Sequence, residues 1–285
     1  MSLPQEVQMT TSTFLAAIDA SAPGLVEGLY LIGSLGFGEF FPERSDVDFV
    51  AVLAERPDAG SVAALDAAHE VVRQQHPRPF FDGVHLVRDD LAKPPGQCAD
   101  LPCTQNGSFE PAGRLGVNLV AWHELARHAV TVRGPLLTEA EMWTDDDALR
   151  AFTHGNLVGY WAGVVDDLVK SPEDAAQEWA AEWCVLGVSR LHHLLATGAL
   201  TSKSGGGRYA LTAFEPRWHP IIHEALRVRE DTGAPSSYDA ASERRGRETA
   251  EFTAMVIEAG LRLVPKAPVR PSAAPRGGQD VAATL

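Results

Sequence analysis

"LYLIGSLGFGEFFPERSDVDFVAVL", Leu29 to Leu53, holds two apolar runs. The first ends in Gly33-Ser34. After a spacer the second begins with two aspartates one residue apart, Asp46 and Asp48. Val47 to Leu53 reads as a buried strand. A carboxylate placed there is costly unless it is paired or bound to a cation. Residues two apart on a strand project from one face, so Asp46 and Asp48 repel each other unless a cation sits between them. Hard divalent ions take oxygen ligands, and Mg²⁺ usually binds one or two carboxylates plus substrate phosphates. Gly33-Ser34 opens a turn or a helix, where backbone N–H groups and the serine hydroxyl hold a phosphate. Asp82, in "FFDGV", offers a third carboxylate from a neighbouring strand. Each part alone is common: a Gly-Ser turn, a solvated Asp-x-Asp edge, an Asp-Gly turn. Their order along the chain is specific, and points to a nucleoside-triphosphate and metal site.

Outward from this stretch, Thr11 to Ala20 reads as a short helix behind a Thr/Ser cap, and Leu29 to Ile32 as a strand. Ser61 to Gln75 has helical periodicity and stops at Pro77 and Pro79. Phe80 to Val87 reads as a third strand, so helices and strands alternate as in a mixed α/β sheet. Lys93 to Gly113, rich in Pro, Gly, Cys and polar residues, reads as a loop. Asn118 to Trp122 and Val130 to Arg133 read as short strands around a small helix, His123 to His128. Beyond residue 145 the pattern is helical: Asp145 to Lys170, Ser171 to Thr197, Arg217 to Arg229 and Ala240 to Arg262. Ser171-Pro172-Glu173 has a serine cap and a proline in the first turn. The expected domains are 1–138, an α/β (α+β) unit with a mixed sheet, and 139–264, an all-α helical bundle. Residues 265–285, poor in large apolar side chains, are expected to form a disordered tail.

The 285 residues carry a net charge of −14, which argues against a broad nucleic-acid surface and is compatible with a cationic ligand. Eleven acidic residues between Glu139 and Glu182 face only Arg150 and Lys170, so much of the excess sits in the helical region. No apolar run is long enough for a membrane span. The opening MSLPQEVQMTTSTF lacks the pattern of a secretory signal. Cys98, Cys103 and Cys184 make no disulfide framework, so a reduced, cytoplasmic setting is expected. The Cys98/Cys103 pair, His219/His223 and His192-His193 lack metal-ligand patterns and read as structural.

"LIGSLGFGEFFPERSDVDFVAVL" resembles the signature of the nucleotidyltransferase superfamily related to DNA polymerase β. It resembles more closely the aminoglycoside adenylyltransferases that modify streptomycin and spectinomycin. "FFDGVHLVRDDL" is similar to the segment with that family's third carboxylate, and "FEPAGRLGVNLVAWHELARHAVTVRGP" to the end of its catalytic domain. "VSRLHHLLATGALTSKSGGGRYAL" and "PRWHPIIHEALRVRE" resemble its helical domain. The resemblance implies a nucleotidyltransferase domain followed by a helical substrate-binding domain. It implies ATP and Mg²⁺, with Asp46, Asp48 and Asp82 as metal and catalytic carboxylates. Gly33, Ser34 and Lys203 would hold the phosphates.

Asp82 stands where the family has a glutamate, one methylene longer. No tryptophan-bearing segment precedes "FEPA"; that place holds "QCADLPCTQNGS". Ser204 to Arg208, "SGGGR", reads as a flexible loop. The resemblance implies that the helical domain supplies acidic groups to a cationic acceptor; Glu178 and Glu182, four apart on one helix face, lie near the matching position and are the candidates, with Trp179 and Trp183 at the same spacing. The resemblance implies AMP transfer from ATP to an aminoglycoside or aminocyclitol hydroxyl; by default a monomer is expected, and charge and hydropathy point to neither nucleic acid nor membrane as partner. Transfer to another small-molecule or protein hydroxyl, and nucleotide binding without catalysis, are the alternatives. The intact Asp46-x-Asp48 pair speaks against the last.

Overall fold

A computed structural model describes residues 3–263, so the expected tail at 265–285 lies outside the described residues. The chain divides into two compact units between Asp145 and Asp146.

The first unit runs α1 (Gln5–Ser21), β1 (Val26–Leu31), α2 (Gly33–Gly36), β2 (Val47–Leu53), α3 (Ala59–Gln75), β3 (Phe81–Val87), α4 (Arg88–Leu91), β4 (Leu101–Gln105), β5 (Ser108–Gly113), α5 (Leu119–His128) and β6 (Val130–Arg133). The six strands form one sheet in the order β5-β4-β3-β2-β1-β6. β2 and β3 are parallel, with Asp48 opposite Asp82; the other described pairings are antiparallel. Val47, Phe49, Ala51 and Leu53 of β2 join a core with Phe14, Leu65 and Val72. Val50 and Val52 join a second core with Trp122 and Leu125. Both sheet faces are thus covered, which is why β2 reads as a continuous apolar run rather than an alternating one.

Four expectations are corrected in this unit. α1 begins at Gln5, ahead of the expected Thr11. Thr11 is not a cap; its hydroxyl donates to the Val7 carbonyl (2.8 Å) inside the helix. Lys93 to Gly113 is not a loop but contains the hairpin β4–β5, turned by Asn106-Gly107. Asn-Gly is a strong two-residue turn signal, and the surrounding Pro, Gly and Cys content masked it. Asn118 to Trp122 is not a strand. The Asn118 side chain accepts from the Ala121 N–H (2.9 Å) and caps α5, because a short apolar run does not by itself distinguish strand from helix.

Between α3 and β3, His69 and His85 are buried with their Nε2 atoms 3.0 Å apart. His85 Nδ1 lies 3.1 Å from the Pro102 carbonyl, which only accepts, so that nitrogen carries the proton. His85 Nε2 therefore accepts from His69 Nε2–H, and both rings are neutral. Burial holds both pKa values down, His85 to about 4. The neutral pair contributes its full stability above the ordinary histidine value of 6.5, and loses it as pH falls toward 4. The expected slope is up to about 1.4 kcal/mol per pH unit per histidine. Urea unfolding of wild type and His69→Gln between pH 4.5 and 7.5 measures it. The glutamine amide donates the same bond without titrating, so identical pH dependence in the two proteins would refute it.

The second unit is helical: α6 (Asp146–Asn156), α7 (Ala162–Lys170), α8 (Pro172–Ala175), α9 (Glu178–Thr197), α10 (Lys203–Ala213), α11 (His219–Glu230) and α12 (Ser242–Leu263). A π-turn, Leu157–Trp161, joins α6 to α7 and buries Leu157 and Trp161. α10, α11 and α12 all pack against α9, whose inner residues include Ala181, Val185 and Val188.

The expected helix from Ser171 to Thr197 is broken at Ala176-Gln177, where Arg245 Nε donates to the Ala176 carbonyl (2.7 Å). Ser171 makes no side-chain cap bond; its carbonyl accepts from the Ala175 N–H instead (3.1 Å). "SGGGR" is not a flexible loop but lies in α10. Ser202 caps that helix by accepting from the Gly205 N–H (2.8 Å), and Ser204, Gly206, Gly207 and Ala210 form its buried face. Among the described residues no helix is long and apolar enough to cross a membrane.

Candidate active site

The first unit assembles five of the expected residues at one end of β1, β2 and β3. Ile32 is still extended, and Gly33 turns the chain into α2. Gly33 lies directly against Asp48: a Cβ there would stand 2.3 Å from Asp48 Oδ2. Its N–H donates to Glu124 Oε2 of α5 (3.1 Å). The Ser34 Oγ is buried without a hydrogen-bond partner among the described residues, an arrangement that is costly unless a ligand completes it.

Asp46 lies just before β2 and is half-exposed, with Arg78 Nη1 3.8 Å away. Asp48 is half-buried on β2, and Asp82 is buried beside it on β3. Burial is the main cause that pushes the Asp82 pKa up to about 6. The N–H groups of Gly107 and Asn106 oppose the rise, the Asp46 charge adds to it, and Arg78 lowers it. Such a value suits a proton acceptor near neutral pH.

Among the described residues no three His, Cys, Asp or Glu side chains group closely enough to hold a metal by themselves. Asp82 Oδ1 and Oδ2 accept from Gly107 N–H (2.9 Å) and Asn106 N–H (2.7 Å). Asp48 lies against Gly33, and Asp46 precedes Asp48 by two residues, so two hard carboxylates stand at the turn that carries Ser34. This fits Mg²⁺, which takes one or two carboxylates and completes its shell with phosphates and water.

In the second unit, Lys203 is half-buried at the start of α10. Its Nζ lies 3.2 Å from Glu182 Oε1 and 5.0 Å from the Trp183 ring centre. Burial holds its pKa down, Glu182 opposes this, and Arg229 and Arg190 lower it further. Arg190 and Arg229 are functional candidates that the sequence reading missed, because only folding brings positions 190, 203 and 229 together.

Glu182 also faces Arg229 Nη1 (3.4 Å). Glu178 pairs with Arg227, and lies 3.7 Å from Arg245 Nη1. The two glutamates are therefore engaged by internal cations rather than presented bare. Trp179 is 55% exposed, whereas Trp183 packs on Trp161 with ring centres 6.1 Å apart, so the two do not make one wall.

Residues 157–257 match the C-terminal domain family of the aminoglycoside adenylyltransferases. The fold matches the crystal structure of spectinomycin adenyltransferase AAD(9) from Enterococcus faecialis with ATP and spectinomycin. The TM-score is 0.59 at 13% identity, over 87% of this chain and 99% of that one. No curated protein matches the chain. The mixed sheet followed by a helical unit is the fold shared with that nucleotidyltransferase structure. More particularly, residues 157–257 carry the likeness to the aminoglycoside adenylyltransferase C-terminal domain.

Proposed function

We propose that this chain moves AMP from ATP to a hydroxyl of an aminoglycoside or aminocyclitol antibiotic, in a Mg²⁺-dependent reaction. The observation that carries this reading is the juxtaposition of Asp46, Asp48 and Asp82 with the Gly33–Ser34 turn. Spectinomycin adenyltransferase, which shares the fold, was solved with ATP and spectinomycin.

On this reading, the Ser34 hydroxyl receives a phosphate oxygen and so gains its missing partner. Asp46 and Asp48 hold Mg²⁺, which when bound neutralises charge on the triphosphate. Lys203 of the helical unit, which pairs with Glu182, is assigned to the phosphates as a point charge. Asp82 takes the proton from the acceptor hydroxyl. The hydroxyl oxygen bonds to the α-phosphorus, the bond from that phosphorus to the bridging oxygen breaks, and pyrophosphate leaves. Positioning and electrostatics supply the rate. The acceptor is a cationic small molecule; the net charge of −14 speaks against nucleic acid. We assign the activity to a cytoplasmic monomer.

Transfer to a different hydroxyl acceptor is the second reading. It is favoured by the engagement of Glu178 and Glu182 with internal cations. Thermal melting with ATP and Mg²⁺, repeated with a panel of aminoglycosides and spectinomycin, tests both. A nucleotide shift plus a further drug shift, followed by pyrophosphate release on that drug, supports the first. A nucleotide shift alone supports the second. No shift with nucleotide counts against the site.

Asp82 accepts a proton only when ionised. The value of kcat/KM for ATP is therefore expected to fall below about pH 6, by up to about tenfold per pH unit. A pH–rate profile that stays flat to pH 4.5 would remove Asp82 from this role.

A further inference from the structure

The proton-accepting role of Asp82 rests on the function just proposed, and the structure adds a feature that this role does not by itself require. The β4–β5 hairpin closes with Gln105 opposite Ser108, leaving a two-residue turn. Asn106 and Gly107 both have positive φ, 50° and 71°, as in the primed turns favoured by such hairpins. The ladder at Gln105 and Ser108 leaves the two middle N–H groups outside the hairpin. Both end on one carboxylate, Asn106 N–H on Asp82 Oδ2 (2.7 Å) and Gly107 N–H on Oδ1 (2.9 Å).

Position and orientation are both determined. Thr104 Oγ1 accepts from the Gly83 N–H (3.2 Å) and donates to the Phe81 carbonyl (3.0 Å), tying β4 to β3 on either side of Asp82. A carboxylate has about four lone-pair sites and the turn uses two, so proton-accepting capacity remains. An aspartate has few torsions, and two bonds to neighbouring backbone N–H groups leave it one orientation.

We propose that the Asn106–Gly107 turn is a positioning element of the reaction, holding the Asp82 carboxylate in the orientation from which it accepts the acceptor's proton. In this role the turn acts only through Asp82.

The test compares Gly107→Val with Gly107→Asn. Both add a Cβ, which would lie 3.3 Å from Phe80 Cδ1, so that contact cancels. Asparagine tolerates the left-handed conformation, whereas a β-branched residue does not. Pyrophosphate release is measured with ATP, Mg²⁺ and the member of the aminoglycoside-plus-spectinomycin panel on which wild type turns over fastest. Gly107→Val is expected to lower kcat about 10- to 100-fold, as displacement of a reacting group does, with KM for ATP nearly unchanged. Gly107→Asn is expected to restore most of kcat. In an Asp82→Asn background Gly107→Val should cause no further loss. Should Gly107→Val fail to fold, Gly107→Ala takes its place with the same expected order. Equal losses in the valine and asparagine variants overturn the proposal, and so does an undiminished loss in the Asp82→Asn background. A wild-type chain that releases no pyrophosphate on any member of the panel overturns the functional reading, and the positioning role with it.

Discussion

Asp48→Asn is expected to lower pyrophosphate release by about 100- to 1,000-fold, the scale of removing one preorganised electrostatic contact from an active site. The amide keeps the size of the side chain, so the fit against Gly33 is preserved, but it removes one of the two charges assigned to Mg²⁺. Asp46→Asn should act in the same direction. Neither change should destabilise the fold. Asp46 raises the pKa of Asp82, so removing its charge relieves repulsion. Turnover and melting temperature measured on the same preparation give the answer. Wild-type turnover in either variant would detach these carboxylates from the chemistry. A large fall in melting temperature would make their role structural.

Glu224→Ala is expected to cost about 3–5 kcal/mol, the scale for removing one partner from a buried ion pair. The Glu224 carboxylate of α11 is buried. It accepts from Arg227 Nε (2.9 Å), Arg245 Nη1 of α12 (3.0 Å) and Ser236 Oγ (2.7 Å). Arg227 in turn holds Glu178, and Arg245 holds the Ala176 carbonyl at the α8–α9 break. Without Glu224, two guanidinium groups remain in the interior with only Glu178 as a carboxylate partner among the contacts described. The urea midpoint of Glu224→Ala reads this loss. A change under about 1 kcal/mol, the scale of an exposed pair, would show that the network contributes little. Glu224→Gln should fall between the two, because it keeps hydrogen-bonding atoms but not the charge.

The same network shows what the four-residue spacing of Glu178 and Glu182 carries and what it does not. Glu178 and Glu182 do share a helix, as the four-residue spacing implies. Their partners Arg227, Arg229 and Lys203 come from other helices, and a spacing rule within one helix carries no information about those. α10 escaped the reading for a similar reason. Three consecutive glycines are poor helix formers, and tertiary packing of the buried face Ser204, Gly206, Gly207 and Ala210 outweighs that local preference. The hairpin behind Asp82 was the reverse case. Asn106-Gly107 was a readable turn signal, passed over because the flanking strands are short and of mixed polarity.

Within one stretch of chain, the amino-acid sequence alone determined the strand at Val47–Leu53, the Gly33–Ser34 turn and the candidate carboxylates. Strand formation, turn formation and the cost of a buried charge all act between near neighbours, so they leave a local pattern. Tertiary structure alone decided which groups those carboxylates meet. The Asn106–Gly107 turn lies 24 and 25 residues beyond Asp82, and Arg229 lies 47 beyond Glu182. Such contacts arise from β-pairing and helix packing, where any of several polar residues satisfies the chemistry and only the folded backbone selects one.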